Sequence, residues 1–307
     1  MTLSNQQYTS PSTITVFGAT GQQGGATTRA LLKRGVRVKA FVRNENSQAA
    51  QALRAKGAEL IEGNFEDYDS VVRAIKGSDG VFSVQPSSGQ GDVYGITDEQ
   101  EIRYGKAIAD ISVQQGVKHL VYTSSTACGK GDTKIGHFET KNEIEAYIKT
   151  LDIPYTILRP AAFMELVMLP GMGLDQGTLY FLNRNDEPMQ FVAAEDIGNV
   201  TAQIFLNAQR YVGKTIELAG DTLTGNELAS SLSQAANLKI SYQEIPPELY
   251  EANELLSRLV PLVKRPEIAL SANVEELEAE FGPLYRFSTW LETLGQSHLQ
   301  NALSTQG

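Results

Sequence analysis

"TVFGATGQQGGATTRALLKRG", residues 15–35, decides the fold. An apolar, β-branched run ends at Gly18, two more glycines follow at intervals of three (Gly21, Gly24), and a helical pattern then takes over. A nucleotide pyrophosphate needs bare backbone and free N–H groups at a helix N-terminus. In that geometry Gly18 makes the tight turn off the strand, Gly21 lets the backbone approach the phosphates, and Gly24 lets helix and sheet pack closely. The spacing is G-x-x-G-x-x-G rather than G-x-G-x-x-G, and a glycine trio alone is weak evidence. Its place between a first strand and a first helix is the context a dinucleotide loop requires.

Outward from this stretch the same rhythm repeats. "RVKAFV" (37–42), "AELIEG" (58–63), "DGVFSV" (79–84), "VKHLVYTSS" (117–125) and "IPYTILRP" (153–160) read as strands. Helical patterns near 22–34, 47–56, 97–115 and 138–150, and "EDYDSVVRAIKG" (66–77), alternate with them. Strands separated by roughly 10–15 helical residues imply βαβ units and a parallel sheet. Their nearly continuous apolar character implies a sheet covered on both faces. Six strands in a row predict an α/β, Rossmann-type, doubly wound fold over residues 13–160.

Past residue 160 the rhythm loosens into a smaller mixed C-terminal lobe, 161–307, interleaved with the sheet and suited to a substrate or a partner. "GTLYFLN" (177–183) and "PMQFVAA" (188–194) look like a small strand pair. "EDIGNVTAQIFLNA" (195–208) reads as a helix, "GKTIELAGD" (213–221) as a strand, and "LTGNELASSLSQAAN" (223–237) as a helix capped by Thr224 or Asn226. The segment 273–299 reads as two amphipathic helical pieces broken at Gly282-Pro283.

Composition narrows the function. A chain of 307 residues with 41% hydrophobic and 20% charged residues suits a globular protein with a sizeable core. The formal charge of −10 argues against direct nucleic-acid binding, which needs clustered Lys and Arg. The single cysteine, Cys128, excludes an internal disulfide framework, fits a reducing, cytoplasmic setting, and reads as an inert small residue. No apolar run reaches 18 residues, so no membrane span is expected, and residues 1–12 read as a loose polar tail without a signal peptide. The three histidines and the cysteine show no metal-ligand spacing, and no metal is expected.

The end of the second strand discriminates between cofactors. An NAD site wants an acid about 20 residues past the glycines. Here "FVRNEN" places Arg43 nineteen residues past Gly24, and a guanidinium there pairs with the 2′-phosphate of NADP(H). Nearby Glu45 offers the alternative of a plain surface ion pair with Arg43.

"TVFGATGQQGG", "VKAFVRN", "GNFED", "EDIG", "IELAGDTLTGNELA" and above all "HFETKNEIEAYIKTLDIPYTILRPAAFME" (137–165) resemble the NmrA-like branch of the atypical short-chain dehydrogenase/reductase superfamily. The resemblance covers residues 13 to about 245. It implies a Rossmann domain with a C-terminal lobe, a preference for NADP(H), and one of two activities: reduction of small acceptors such as quinones, or redox sensing for a partner protein.

Carried over by motif, Gly18, Thr20, Gly21, Gln22, Gln23 and Gly24 hold the pyrophosphate, and Arg43 the 2′-phosphate. Asn64 and Phe65 match the adenine contact, where many relatives have Asp first. Val84, Gln85 and Pro86 match the ribose on the nicotinamide side, and Phe163 the segment that covers the nicotinamide. Leu166 stands where an Asn is common, which puts one polar contact in doubt.

Active short-chain reductases use Tyr-x-x-x-Lys, the Lys binding ribose and lowering the Tyr pKa so that the phenol protonates the product. Here Ser124 lies at the right strand end, but the Tyr position holds His137, with Lys141 four residues on. Tyr147 lies on another side of the helix and cannot replace it. Three readings of His137 compete: an acid, a binding contact, or a cap on a helix starting near Phe138. Lys141 is expected as ribose ligand, Ser124 as carbonyl ligand. The expected role is a redox sensor with a regulatory protein partner, with reduction of a small-molecule quinone or enone through Lys141 as the alternative. The helical faces at 97–115 and 138–150 offer a surface for a homodimer.

Overall fold

The computed structural model describes residues 11–89, 95–251 and 253–304. Most of the expected tail, residues 1–10, lies outside them. The first half alternates strand and helix: β1 (Thr13–Val16), α1 (Gln22–Lys33), β2 (Arg37–Val42), α2 (Gln48–Ala55), β3 (Glu59–Glu62), α3 (Tyr68–Ile75), β4 (Gly80–Ser83), α4 (Asp98–Gln114), β5 (His119–Thr123), α5 (Gly136–Ile148) and β6 (Tyr155–Pro160). The second half is more irregular: β7 (Ala162–Phe163), β8 (Thr178–Phe181), β9 (Met189–Val192), α6 (Ala194–Leu206), α7 (Ala208–Tyr211), β10 (Thr215–Leu218), β11 (Asp221–Leu223), α8 (Gly225–Ala236), β12 (Ser241–Glu244), α9 (Pro247–Glu251), α10 (Glu254–Val263), α11 (Pro266–Ala269), α12 (Val274–Phe281), α13 (Phe287–Glu292) and α14 (Gln296–Ser304).

The main sheet has seven strands in the order β10-β6-β5-β4-β1-β2-β3. β1 pairs in parallel with β2 on one side and β4 on the other, so the winding reverses between β1 and β4. That reversal opens a crevice at the carboxyl ends of the two strands, where ligands bind in open α/β sheets. β10 brings the sheet to one strand more than the six expected, through bonds such as Ile157 N–H to Lys214 O.

The chain divides into two compact units. The first takes in residues up to Ser124, with Thr140–Leu158 and Ile197–Ile216. Its apolar core, including Phe17, Phe41, Val81, Ile108, Leu120, Tyr122 and Ile144, is buried against the sheet. The second comprises Ser125–Glu139, Arg159–Asp196 and the chain from Glu217. Its core gathers Met164, Leu179, Phe191, Leu232, Phe287 and the fully buried Trp290.

Caps account for several helix starts. Ser47, Asp67, Asn253 and Asn273 each accept a backbone N–H at the first turn of α2, α3, α10 and α12. Thr97 with Gln100, and Thr224 with Glu227, form capping boxes at α4 and α8; the cap of α8 is thus Thr224 rather than Asn226.

Three local expectations fail. β8 and β9 do not pair: β8 runs parallel to β12, while β9 lies between β7 and β11. Both are four residues long, and β9 is buried along its whole length, so it takes two neighbours rather than one hairpin mate. The C-terminal segment holds three helices, because the chain turns again at Gly295 before α14, whose Leu299 is buried in the second core. Finally, α5 begins at Gly136, one residue before His137, so His137 is a first-turn residue and not the cap of a helix starting near Phe138.

Candidate functional site

The glycine turn sits at the switch point. Gly18 follows β1 with φ +60°, in the left-handed region, and a Cβ there would lie 2.7 Å from Val84 Cγ1 beyond β4. Gly24 is more demanding: a Cβ on it would meet Gly18 O at 2.3 Å and Phe17 O at 2.6 Å, so helix and strand touch through backbone. Gly21 N–H donates to Gly18 O at 2.9 Å, closing the turn. Gly21 is also the N-cap of α1, and no side chain caps it, in contrast to α2, α3 and α4. Thr20, Gly21 and Gln22 are exposed, so the start of α1 is open to solvent with no side-chain cap at Gly21. Gln23 is tied down, its Oε1 accepting from Thr123 Oγ1 at the end of β5 (2.6 Å). Bare backbone and an uncapped helix start are what an anionic pyrophosphate fits.

Arg43 is exposed directly after β2, and among the described residues no carboxylate pairs with it. Glu45 is engaged elsewhere, holding Arg54 at 2.7 Å, so the surface pair between Arg43 and Glu45 does not form. Asn64 is exposed after β3 and turns its Oδ1 back on its own loop, accepting from Glu66 N–H (2.9 Å) and Asp67 N–H (3.0 Å). Phe65 packs among Phe17, Phe41 and Tyr104, with its centroid 5.3 Å from the Tyr104 ring. After β4, Val84 and Pro86 are half-buried, and Gln85 is buried with its Nε2 donating to Ser83 Oγ (2.7 Å).

Lys141 projects from α5 onto α4. Its Nζ lies 2.5 Å from Glu101 Oε1 and 3.2 Å from Ser87 Oγ. Glu101 is 1% exposed, and its other oxygen accepts from Ser88 N–H (2.8 Å) and Ser88 Oγ (3.0 Å). Ser124 directly follows β5 at 4% exposure, and among the described residues its Oγ is a buried polar atom without a hydrogen-bond partner. An unpaired buried hydroxyl costs about 1–3 kcal/mol and calls for an explanation such as an absent ligand.

His137 and Phe163 belong to the second unit. The His137 ring is half-buried beside Phe138, at a centroid distance of 4.1 Å. Phe163 pairs with Val192 across β7 and β9, and Leu166 packs against the second unit's core. Cys128 is fully buried, with its Sγ 3.5 Å from Phe138 O. Among the described residues no group of His, Cys, Asp or Glu is arranged to hold a metal, and no helix is long and apolar enough to cross a membrane.

Glu101, Ser87 and Ser88 are the site residues that sequence reasoning missed. A signal for Glu101 was present: it occupies the first place of the stripe Glu101, Tyr104, Gly105, Ile108, Ile111, Ser112, which α4 buries. A charge on an apolar helix stripe is expected to have a dedicated partner.

The fold and the glycine turn at its switch point define a Rossmann-type α/β protein. The chain belongs to the NmrA-like family, which it matches over residues 10–303. It is 30% identical over 254 residues to the NmrA-like family domain-containing oxidoreductase lnaB of Aspergillus flavus, with 76% of each chain covered. It also resembles the solved structure of NmrA, a negative transcriptional regulator, in complex with NADP (TM-score 0.74, 21% identity, 96% of this chain and 99% of that one). The NADPH-dependent quinone oxidoreductase QOR2 of Escherichia coli, complexed with NADPH, is equally similar (TM-score 0.74, 22% identity, 92% and 99% covered).

Proposed function

We propose that this protein binds NADP(H) in the crevice between β1 and β4 and acts as a sensor of the NADPH/NADP+ balance for a protein partner. One observation carries the cofactor reading: among the described residues no carboxylate pairs with Arg43 just after β2, while the neighbouring Glu45 is consumed by Arg54. A guanidinium in that place takes a 2′-phosphate, whereas an acid would take the 2′-hydroxyl of NAD. Gly18 to Gly24 and the start of α1 receive the pyrophosphate, and Lys141 receives the ribose hydroxyls on the nicotinamide side. The sensor reading rests on the resemblance, which puts His137 where short-chain reductases carry Tyr, together with the intact glycine motif in the sequence.

A second reading is favoured by Ser124. Its buried, unpartnered Oγ at the end of β5 suits a carbonyl ligand, and relatives such as lnaB are named oxidoreductases. Bound NADPH supplies a hydride. For a quinone or enone the anion formed on reduction is delocalised, so a phenolic proton donor matters less than for a ketone, and Lys141 with Ser124 suffices to fix cofactor and acceptor. NADPH oxidation against a panel of quinones separates the two. Tight NADPH binding without turnover on any acceptor supports the sensor; turnover in the ordinary range of about 1–1000 per second, abolished in Lys141→Gln, refutes it.

A further inference from the structure

Glu101 has no place in the reading so far, yet it is 1% exposed and both of its carboxylate oxygens are engaged. α4 and α5 approach so closely that a Cβ on Gly105 would lie 2.6 Å from Ile144 Cδ1. One turn before that contact, Glu101 on α4 meets Lys141 on α5. Its two oxygens divide the work: Oε1 takes the ammonium, and Oε2 takes both the N–H and the hydroxyl of Ser88 in the chain just past Val84, Gln85 and Pro86. Stability does not account for it, since a buried ion pair is on average no better than an apolar pair of the same volume.

We propose that Glu101 is the positioning residue of the dinucleotide site. Resting on the reading of Lys141 as the ribose ligand, its buried carboxylate presets the Lys141 ammonium and fastens the chain after β4 to it. A lysine side chain has several free torsions, and fixing it before binding spares the ligand that entropy. Glu101 touches no cofactor atom in this scheme; it acts through Lys141.

The test compares two ligands by fluorescence or calorimetric titration. NADPH carries the ribose that Lys141 is to bind, and adenosine 2′,5′-bisphosphate lacks it while keeping the adenine and the 2′-phosphate. Glu101→Gln is expected to raise the Kd for NADPH about three- to tenfold, the range for re-fixing one long side chain, and to leave adenosine 2′,5′-bisphosphate unchanged. In a Lys141→Gln background it should have no further effect on NADPH. Equal weakening of both ligands, or a further loss in the Lys141→Gln background, overturns the proposal in favour of a structural role. If Lys141→Gln weakens NADPH but Glu101→Gln does not, this proposal alone fails; if Lys141→Gln has no effect, the ribose reading falls with it. Should Glu101→Gln alone not fold, the paired amide variant Glu101→Gln/Lys141→Gln is compared with Lys141→Gln: equal NADPH affinity supports the proposal, lower affinity overturns it.

Discussion

Replacing Asp196 by Asn should make the protein more stable above neutral pH and leave it little changed in acid. Asp196 is 2% exposed in the first turn of α6, and its Oδ2 accepts from Tyr285 N–H at 2.9 Å. Burial pushes its carboxyl up from 3.8 to about 7, reinforced by the like charges of Glu195, Glu165 and Glu278. Glu278 is offset by Arg286, 2.8 Å away, while Glu165 Oε2 has no hydrogen-bond partner. Between about pH 4 and 7 the folded chain therefore holds a proton at this site that the unfolded chain has released. Because the folded pKa is the higher one, this contribution is present in acid and is lost as pH rises to 7. Each pH unit in that window is worth about 1.4 kcal/mol, so from pH 5 to pH 8 the wild type loses at most about 3 kcal/mol at this residue. Relaxation of the site and water entry reduce this, and a change of about 1.5–3 kcal/mol is expected. Asn keeps an acceptor for Tyr285 N–H and carries no charge, so the gap between variant and wild type should widen by that amount from pH 5 to pH 8. Urea unfolding of both proteins at each pH, at fixed ionic strength, measures the gap. A difference that stays flat across the range refutes the reasoning, whatever its absolute size.

Arg43→Ala should lower affinity for NADPH by about tenfold or more, as expected for one exposed charge-assisted contact, and leave NADH unaffected; an unchanged NADPH/NADH ratio in binding isotherms means that Arg43 does not read the phosphate. Gly24→Ala drives a methyl to within 2.3 Å of Gly18 O, where no flexible side chain can yield. It should cost upwards of about 2 kcal/mol in unfolding free energy and abolish NADPH binding; a variant with wild-type binding argues against the tight turn. Ser124→Ala removes a buried hydroxyl that has no partner, so it should be neutral or stabilising by up to about 1 kcal/mol in thermal unfolding. Destabilisation would mean that the hydroxyl is a structural group and not one held for a ligand.

The sheet was legible because its signals are local. β-branched runs such as Arg37–Val42 and Tyr155–Pro160 are bounded by turn residues, and α2, α3 and α4 between them carry their own side-chain caps. The β8–β9 mispairing shows where locality ends: the partners of β8 and β9 lie some thirty to sixty residues away at Leu223 and Ser241, and no nearby pattern names them. The glycine turn was equally legible, since backbone constraint is written in residue type. Glu101 was harder, because its partner, Lys141, lies forty residues off on another helix, and an acid near a helix start also reads as a complement to the helix dipole. Only its place in the buried stripe sets it apart from Asp98 and Glu99.

On the proposed reading, the two halves of the candidate site are built from different materials. The phosphate half is backbone: the turn at Gly18, the contact of Gly24 with Gly18 O and the uncapped start of α1 depend on the absence of side chains. Substitution there tends to destroy binding outright. The nicotinamide half is side chains, with Lys141 held by Glu101 and Ser124 at the end of β5. Such groups can be exchanged without disturbing the backbone contacts of the cradle. Binding and turnover are therefore separable by mutation in this architecture. On that reading the test of hydride transfer lies in the side chains around Lys141 and not in the glycine turn.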